Sequence, residues 1–229
     1  MHSRYNNAMI RIPTLAILLA LCASALEIVD RPIPFGTERT QQTLDYMAHH
    51  YGITTGSVRI VPKIILVHAT GIDGLEASLE RFLPESLPTD RPDIAGGGSL
   101  NVSAHFMVDF DGTVYRLMDE TAMGRHVIGL NDSSIGIENV GGGNGDYSNL
   151  TEAQLQANRE LVAYLLAKYP TIDYLVGHHE YRCMEQSPLW LERDTAYRTR
   201  KTDPGPAFME RLRAHFKSLK RPPCGDGDD

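Results

Sequence analysis

The hydrophobic positions of this chain change period several times, and each change predicts an element. Leu44, Met47 and Tyr51 fall at helical spacing. They predict a helix from about Glu38 to His50, with Thr37 as its cap and Gly52 as its stop. Ile60 to Val67 is an apolar strand run interrupted by Pro62-Lys63, and residues 71–83 read as a loop with a short helix. Val102, Ala104, Phe106, Val108 and Phe110 then alternate with Ser103, His105, Met107 and Asp109. Asp111-Gly112 supplies a turn, and Thr113 to Met118 returns as the second arm of a hairpin. Ser134 to Val140 alternates again, with Ile135 and Ile137 on one face and Gly136 and Glu138 on the other.

Thr151 and Gln154 form a capping box for a helix to about Tyr169, striped by Leu155, Val162, Leu165, Leu166 and Tyr169. Ile172 to Val176 is a short strand, and Pro206 to Leu219 a closing helix with Phe208, Leu212 and Phe216 inward. Between these elements, Leu26 to Phe35 is punctuated by proline and reads as extended over the surface. Pro84 to Leu100 is a long loop with three prolines. Gly141 to Gly145 lacks the spacing of a dinucleotide-binding loop and reads as a turn. Strands and helices mix without strict alternation and without repeats. The expectation is an α/β fold with a mixed central β-sheet flanked by helices.

The beginning of the chain follows another logic. Arg4 and Arg11 precede an apolar run, Ile12 to Leu21, and Ala23-Ser24-Ala25 is a small-residue cleavage pattern. Residues 1–25 therefore read as a signal peptide, too short in its apolar part to span a membrane. A start at Met9 would make it more compact, a buried N-terminal strand or helix is the structural alternative, and lipidation of Cys22 is disfavoured by the bulky Leu21 before it. Removing two arginines and no acids takes the net charge from −7 to −9. No basic face is evident, which argues against a nucleic-acid partner. Export also leaves Cys183 and Cys224 as an even pair in an oxidising compartment, bridged or free. Oligomeric state is open.

Candidate chemistry gathers late in the chain. Tyr174-Leu175-Val176 leads into Gly177-His178-His179, and Lys201-Thr202-Asp203-Pro204-Gly205 follows. Lys201 and Asp203, two apart, share a side in extended chain. Imidazole and carboxylate suit zinc with an open position for water, and His68, ending the run Ile64 to Val67, is the best third ligand. A core histidine bonded to backbone is the plain alternative for His68 and for His178. His49, His50 and His215 read as solvated or snorkelling helix positions.

Taken together and in order, several blocks resemble the zinc-dependent N-acetylmuramoyl-L-alanine amidases, a family that includes phage lysozyme-amidases and is similar to animal peptidoglycan recognition proteins. The blocks are I-I-L-V-H at 64–68, S-A-H-F at 103–106, D-G-T-V-Y at 111–115, G-R-H at 124–126, N-D-S-S-I-G-I-E at 131–138, V-G-H at 176–178 and K-T-D-P-G-P-A-F at 201–208. The resemblance implies His68, His178 and Asp203 as ligands of Zn2+, Glu138 and Lys201 as catalytic residues, and His126 with Asn131 on the substrate side. It also implies peptidoglycan or muropeptide fragments as partner, the bond between N-acetylmuramic acid and L-alanine as target, and a periplasmic or secreted location. Phage relatives carry a tyrosine where this chain has Ala104, a role that is then either empty or filled by Glu138. Residues 184–200 read as an insertion, with Trp190 and Tyr197 in it, that shapes substrate choice or packs as a lid.

Domain bounds follow: an N-terminal extension with a helix at 26–59, a catalytic domain at 60–219 and a disordered tail at 220–229. A non-catalytic peptidoglycan-binding module and a zinc peptidase acting within stem peptides are the alternatives. No H-E-x-x-H helix supports the peptidase. If the leader is cleaved, intact-mass spectrometry of the exported protein will find a chain beginning near Leu26; an unprocessed N-terminus would refute it.

Overall fold

Six short extended runs pair into one sheet in the computed structural model, which describes residues 26–224. They are β1 (Ile28–Asp30), β2 (Ile64–Ala69), β3 (Phe106–Val108), β4 (Val114–Arg116), β5 (Ser134–Asn139) and β6 (Tyr174–Gly177), in the order β1-β4-β3-β5-β2-β6. Only the β3–β4 hairpin pairs antiparallel; every other neighbour is parallel. Among the described residues four α-helices accompany the sheet: α1 (Thr37–Tyr46), α2 (Leu75–Glu80), α3 (Glu152–Lys168) and α4 (Pro206–Arg213). The mixed sheet with flanking helices is the architecture the sequence predicts. The expected leader, residues 1–25, lies outside the described residues. Among the described residues no helix is long and apolar enough to cross a membrane.

The central strands are apolar on both faces because both are covered. Ile65, Val67, Ile135, Ile137 and Leu175 pack under α3 and α4 with Leu161, Val162, Leu165, Met209 and Leu212. Ile64, Leu66 and Val176 point the other way, into a second cluster with Ile94, Val127, Leu130, Tyr181 and Met184. This second face is roofed by loops and short turns. The capping box at Thr151 and Gln154 forms as expected.

Several local expectations are corrected. Thr37 does not cap α1: the cap position is Gly36, and Glu85 reaches across from the long loop so that its Oε1 accepts from the N–H groups of Gly36 at 2.9 Å and Arg39 at 3.3 Å. A carboxylate at that end also meets the positive pole of the helix. The helix continues as a π-helical turn, Met47–Tyr51, before Gly52 ends it in the left-handed region. Residues 26–35, expected on the surface, contribute β1 at the sheet edge and the buried Ile33. His50, expected solvated, is buried with Nδ1 2.9 Å from Glu192 Oε1. The closing helix stops at Arg213. The start of the expected disordered tail is tied down: the Leu175 N–H donates to the Lys220 carbonyl, and Cys224 is bonded to Cys183. Residues 225–229 lie outside the described residues.

Arg39 is fully buried, and its guanidinium donates to the carbonyls of Phe82 at 2.8 Å and Pro84 at 2.6 Å, fastening α1 to the loop that caps it. Arg39→Leu leaves those acceptors without donors, a loss of about 3 kcal/mol. That corresponds to a Tm fall of roughly 6–12 °C for a chain of this size. Arg31→Ala, which breaks the exposed pair with Glu76 and a long contact over the Tyr115 ring, should change Tm by no more than about 1–2 °C. Equal shifts in thermal melts of the two variants would contradict this account.

Candidate active site

Parallel strands bring their carboxyl ends to one edge of a sheet, where side chains can open onto a crevice. Three such ends meet here. His68 is the register partner of Glu138 across β2 and β5. Val67 pairs with Gly177 across β2 and β6, so His178 follows at the same level. Asp203 arrives from the loop before α4. Its carbonyl accepts from the His179 N–H at 2.8 Å, and its Oδ2 accepts from the Ala69 N–H at 3.3 Å. The three side chains converge: Asp203 Oδ2 lies 3.0 Å from His178 Nδ1 and 3.5 Å from His68 Nδ1. Their donor atoms all lie within 4.8 Å of one another, the one cluster of its kind among the described residues.

Burial sets the charges. It pushes the His68 imidazole down to about 4, helped by His178 and opposed by Asp203. Burial alone would raise the Asp203 carboxyl, yet His178 and His68 beside it hold it well below the usual carboxylate range. A neutral imidazole and an ionised carboxylate each keep lone pairs for a metal. Glu138 goes the opposite way: burial first, and then the Asp203 charge, push it up to about 8, against the pull of Arg91 and Lys201. Its Oε2 is buried without a hydrogen-bond partner. Lys201 Nζ lies in the same crevice, 3.7 Å from Asp93 Oδ2. The crevice encloses about 490 Å³, with the three donor residues, Glu138 and Lys201 on its floor and sides.

The walls come from loops. Arg125 is buried, and its guanidinium donates to the carbonyls of Gly98 and Leu100 and to the Tyr197 hydroxyl. It thereby joins the long loop to the 184–200 segment. That segment is packed rather than loose: the Leu191 N–H donates to Gly129 O and the Arg193 N–H to His50 O. Tyr197 and Thr199 reach the crevice, whereas Trp190 lies outside it, over Gly129 and stacked on Tyr181.

Residues 57–206 match the sequence profile of the N-acetylmuramoyl-L-alanine amidases. The chain belongs to that family. It is 46% identical over 87 residues to the endolysin of Escherichia phage T7, a match covering 36% of this chain and 56% of the endolysin. The chain thus spans about half the length of the curated relatives it matches. In structure it is similar to the N-acetylmuramoyl-L-alanine amidase LysC from Clostridium intestinale URNW, at TM-score 0.52 and 22% identity, covering 85% of this chain and 99% of that one. AmpD is similar at TM-score 0.50 and 25% identity, covering 82% and 94%. These likenesses show that the fold is the family's.

Of the residues singled out from sequence, His68, His178, Asp203, Glu138 and Lys201 share the crevice, and His126 lies on its wall. Asn131 does not. It is fully buried, and its Oδ1 accepts from the N–H groups of His126 and Val127, each at 2.9 Å. Its role is to hold the turn that carries His126, a correction to the expected place on the substrate side. Arg91 and Tyr147 also line the crevice. Nothing in their sequence context marks them, because the loops that carry them are positioned only by tertiary contacts.

The raised Glu138 carboxyl has a stability consequence. Its folded pKa of about 8 lies above the unfolded value, so the folded state loses stability as pH rises from about 4.5 to about 8. Glu138→Gln removes that loss. In chelator-treated protein the variant should melt with wild type near pH 4.5 and increasingly above it toward pH 8. A pH-independent difference would contradict the assignment.

Proposed function

We propose that this chain is an exported zinc-dependent hydrolase that cleaves the amide between the lactyl group of N-acetylmuramic acid and L-alanine of peptidoglycan, outside the cytoplasmic membrane of a bacterium. The observation that carries this reading is the juxtaposition of an unpartnered, buried carboxylate, Glu138, with the His68–His178–Asp203 cluster in one crevice. Two imidazoles and one ionised carboxylate, all largely buried, fit zinc's preference for three protein ligands and one open position. His68 and His178 would bind through Nδ1, and Asp203 through Oδ2. Bound there, zinc supplies Lewis acidity to the amide carbonyl and to the attacking water.

The remaining work falls to the chain's own groups. Glu138, with a raised pKa and a free oxygen, takes a proton from the attacking water and delivers it to the departing nitrogen. Lys201 faces the same space and stabilises the negative charge that develops on the carbonyl oxygen. The crevice, lined by Arg91 and Ile94 of the long loop and by Tyr147, would receive the substrate.

The test combines zinc content with hydrolysis of purified peptidoglycan. Wild type should hold about one zinc per chain. Glu138→Gln should keep the metal and lose at least about a hundredfold in kcat. Lys201→Ala should keep the metal and lose about 3 kcal/mol of transition-state stabilisation. His178→Ala should lose the metal. Active wild type without zinc, or Glu138→Gln cleaving at the wild-type rate, would sink the reading.

A further inference from the structure

Among the described residues His126 is the one histidine of the crevice outside the donor cluster, and both of its ring nitrogens have partners. Its Nδ1 lies 3.1 Å from Nε2 of His68, and the two rings meet nearly edge to face. On its other side, His126 Nε2 lies 3.3 Å from the Ser134 hydroxyl and 3.4 Å from the Ser134 carbonyl. The Ser134 hydroxyl donates to the Leu130 carbonyl at 2.9 Å, so its proton is committed and its lone pairs face His126. Both partners at Nε2 of His126 therefore accept, and the His126 proton belongs on Nε2. That leaves Nδ1 of His126 as a bare acceptor, which requires His68 to carry its own proton on Nε2. The consequence is at the opposite side of the His68 ring: Nδ1 keeps its lone pair, 3.5 Å from an Asp203 Oδ2 that already meets His178 Nδ1 at 3.0 Å and the Ala69 N–H at 3.3 Å.

The chain builds a dedicated seat for this imidazole. The His126 N–H is held by Asn131 Oδ1. Its ring lies against Gly136, where a Cβ would come within 2.9 Å of the ring. His105, on the far side, is already spent: its Nδ1 accepts from the Gly136 N–H and its Nε2 donates to the Ala122 carbonyl. No competing donor reaches Nδ1 of His126 from that direction.

We propose that His126 is a positioning residue that selects the tautomer and orientation of His68, presenting Nδ1 to the metal, and that it is not primarily a substrate contact. The proposal rests on the zinc reading above. A partner holding the far nitrogen of a ligand histidine typically accounts for 10–100-fold in metal affinity.

The experiment has two arms. In the first, zinc affinity of the full mature chain is measured by chelator competition. His126→Phe keeps the ring volume and removes the acceptor; zinc binding should weaken about 10–100-fold. His126→Asn, whose side-chain oxygen can stand near the place of Nδ1, should recover most of the loss. Zinc affinity of His126→Phe within about threefold of wild type, with KM for peptidoglycan raised, would overturn the proposal and make His126 a substrate residue. The second arm needs no variant: nitrogen NMR of chelator-treated wild type should show His68 protonated at Nε2 and His126 also at Nε2. The reverse tautomer of either ring would overturn it. A wild type that binds no zinc yet shows these tautomers would refute the metal reading alone.

Discussion

The site depends on one constraint: the in-register parallel pairing of β5, β2 and β6. Parallel register fixes which residues arrive together at the carboxyl edge. His68 and Glu138 are direct partners, and His178 follows the residue paired with Val67. A slip of one residue in either pairing would turn a ligand candidate or the acid toward α3 and α4. The apolar alternation beneath enforces the register. Ile65 and Val67 must meet Ile135 and Ile137 on the helix-covered face, and that leaves His68 and Glu138 on the open one.

The arrangement is electrostatically expensive, and the surroundings offset the expense unevenly. Asp203 is compensated by His178 and His68, so it stays ionised. Glu138 has the same burial but no direct partner, and it sits near the Asp203 charge, so it is driven toward the neutral form. Two carboxyl groups in one crevice are thereby pushed in opposite directions, which suits one to holding a cation and the other to moving a proton. Burial lowers the proton affinity of the His68 and His126 imidazoles, and the histidines beside each lower it further.

The rest of the chain encloses this edge. Glu85 and Arg39 join α1 to the long loop. Arg125 joins that loop to the 184–200 segment through Tyr197, and the His50–Glu192 contact fastens the segment to the π-helical turn. The Cys183–Cys224 bond ties the chain end to the turn that follows His178. The 184–200 segment is thus a wall of the crevice.

The sequence by itself determined the sheet strands near Ile64 to Val67 and Ser134 to Val140, the capped helix from Thr151, and the candidate residues His68, His178, Asp203, Glu138 and Lys201 that the fold brings to one crevice. Those signals are local: alternation, capping and residue type depend on neighbours a few positions away. It did not determine that Glu85, 49 positions from Gly36, would cap α1. Nor did it show that Glu192 would bury His50 or that Asn131 would turn inward to hold His126. Each of these is a pairing across long sequence separation, and a polar side chain gives no sign in sequence of which distant partner will satisfy it. The proton affinity of Glu138 was decided the same way. A glutamate is an ordinary acid in sequence; burial beside Asp203, with one oxygen left unpartnered, shifts its proton affinity, and only the tertiary structure creates that burial.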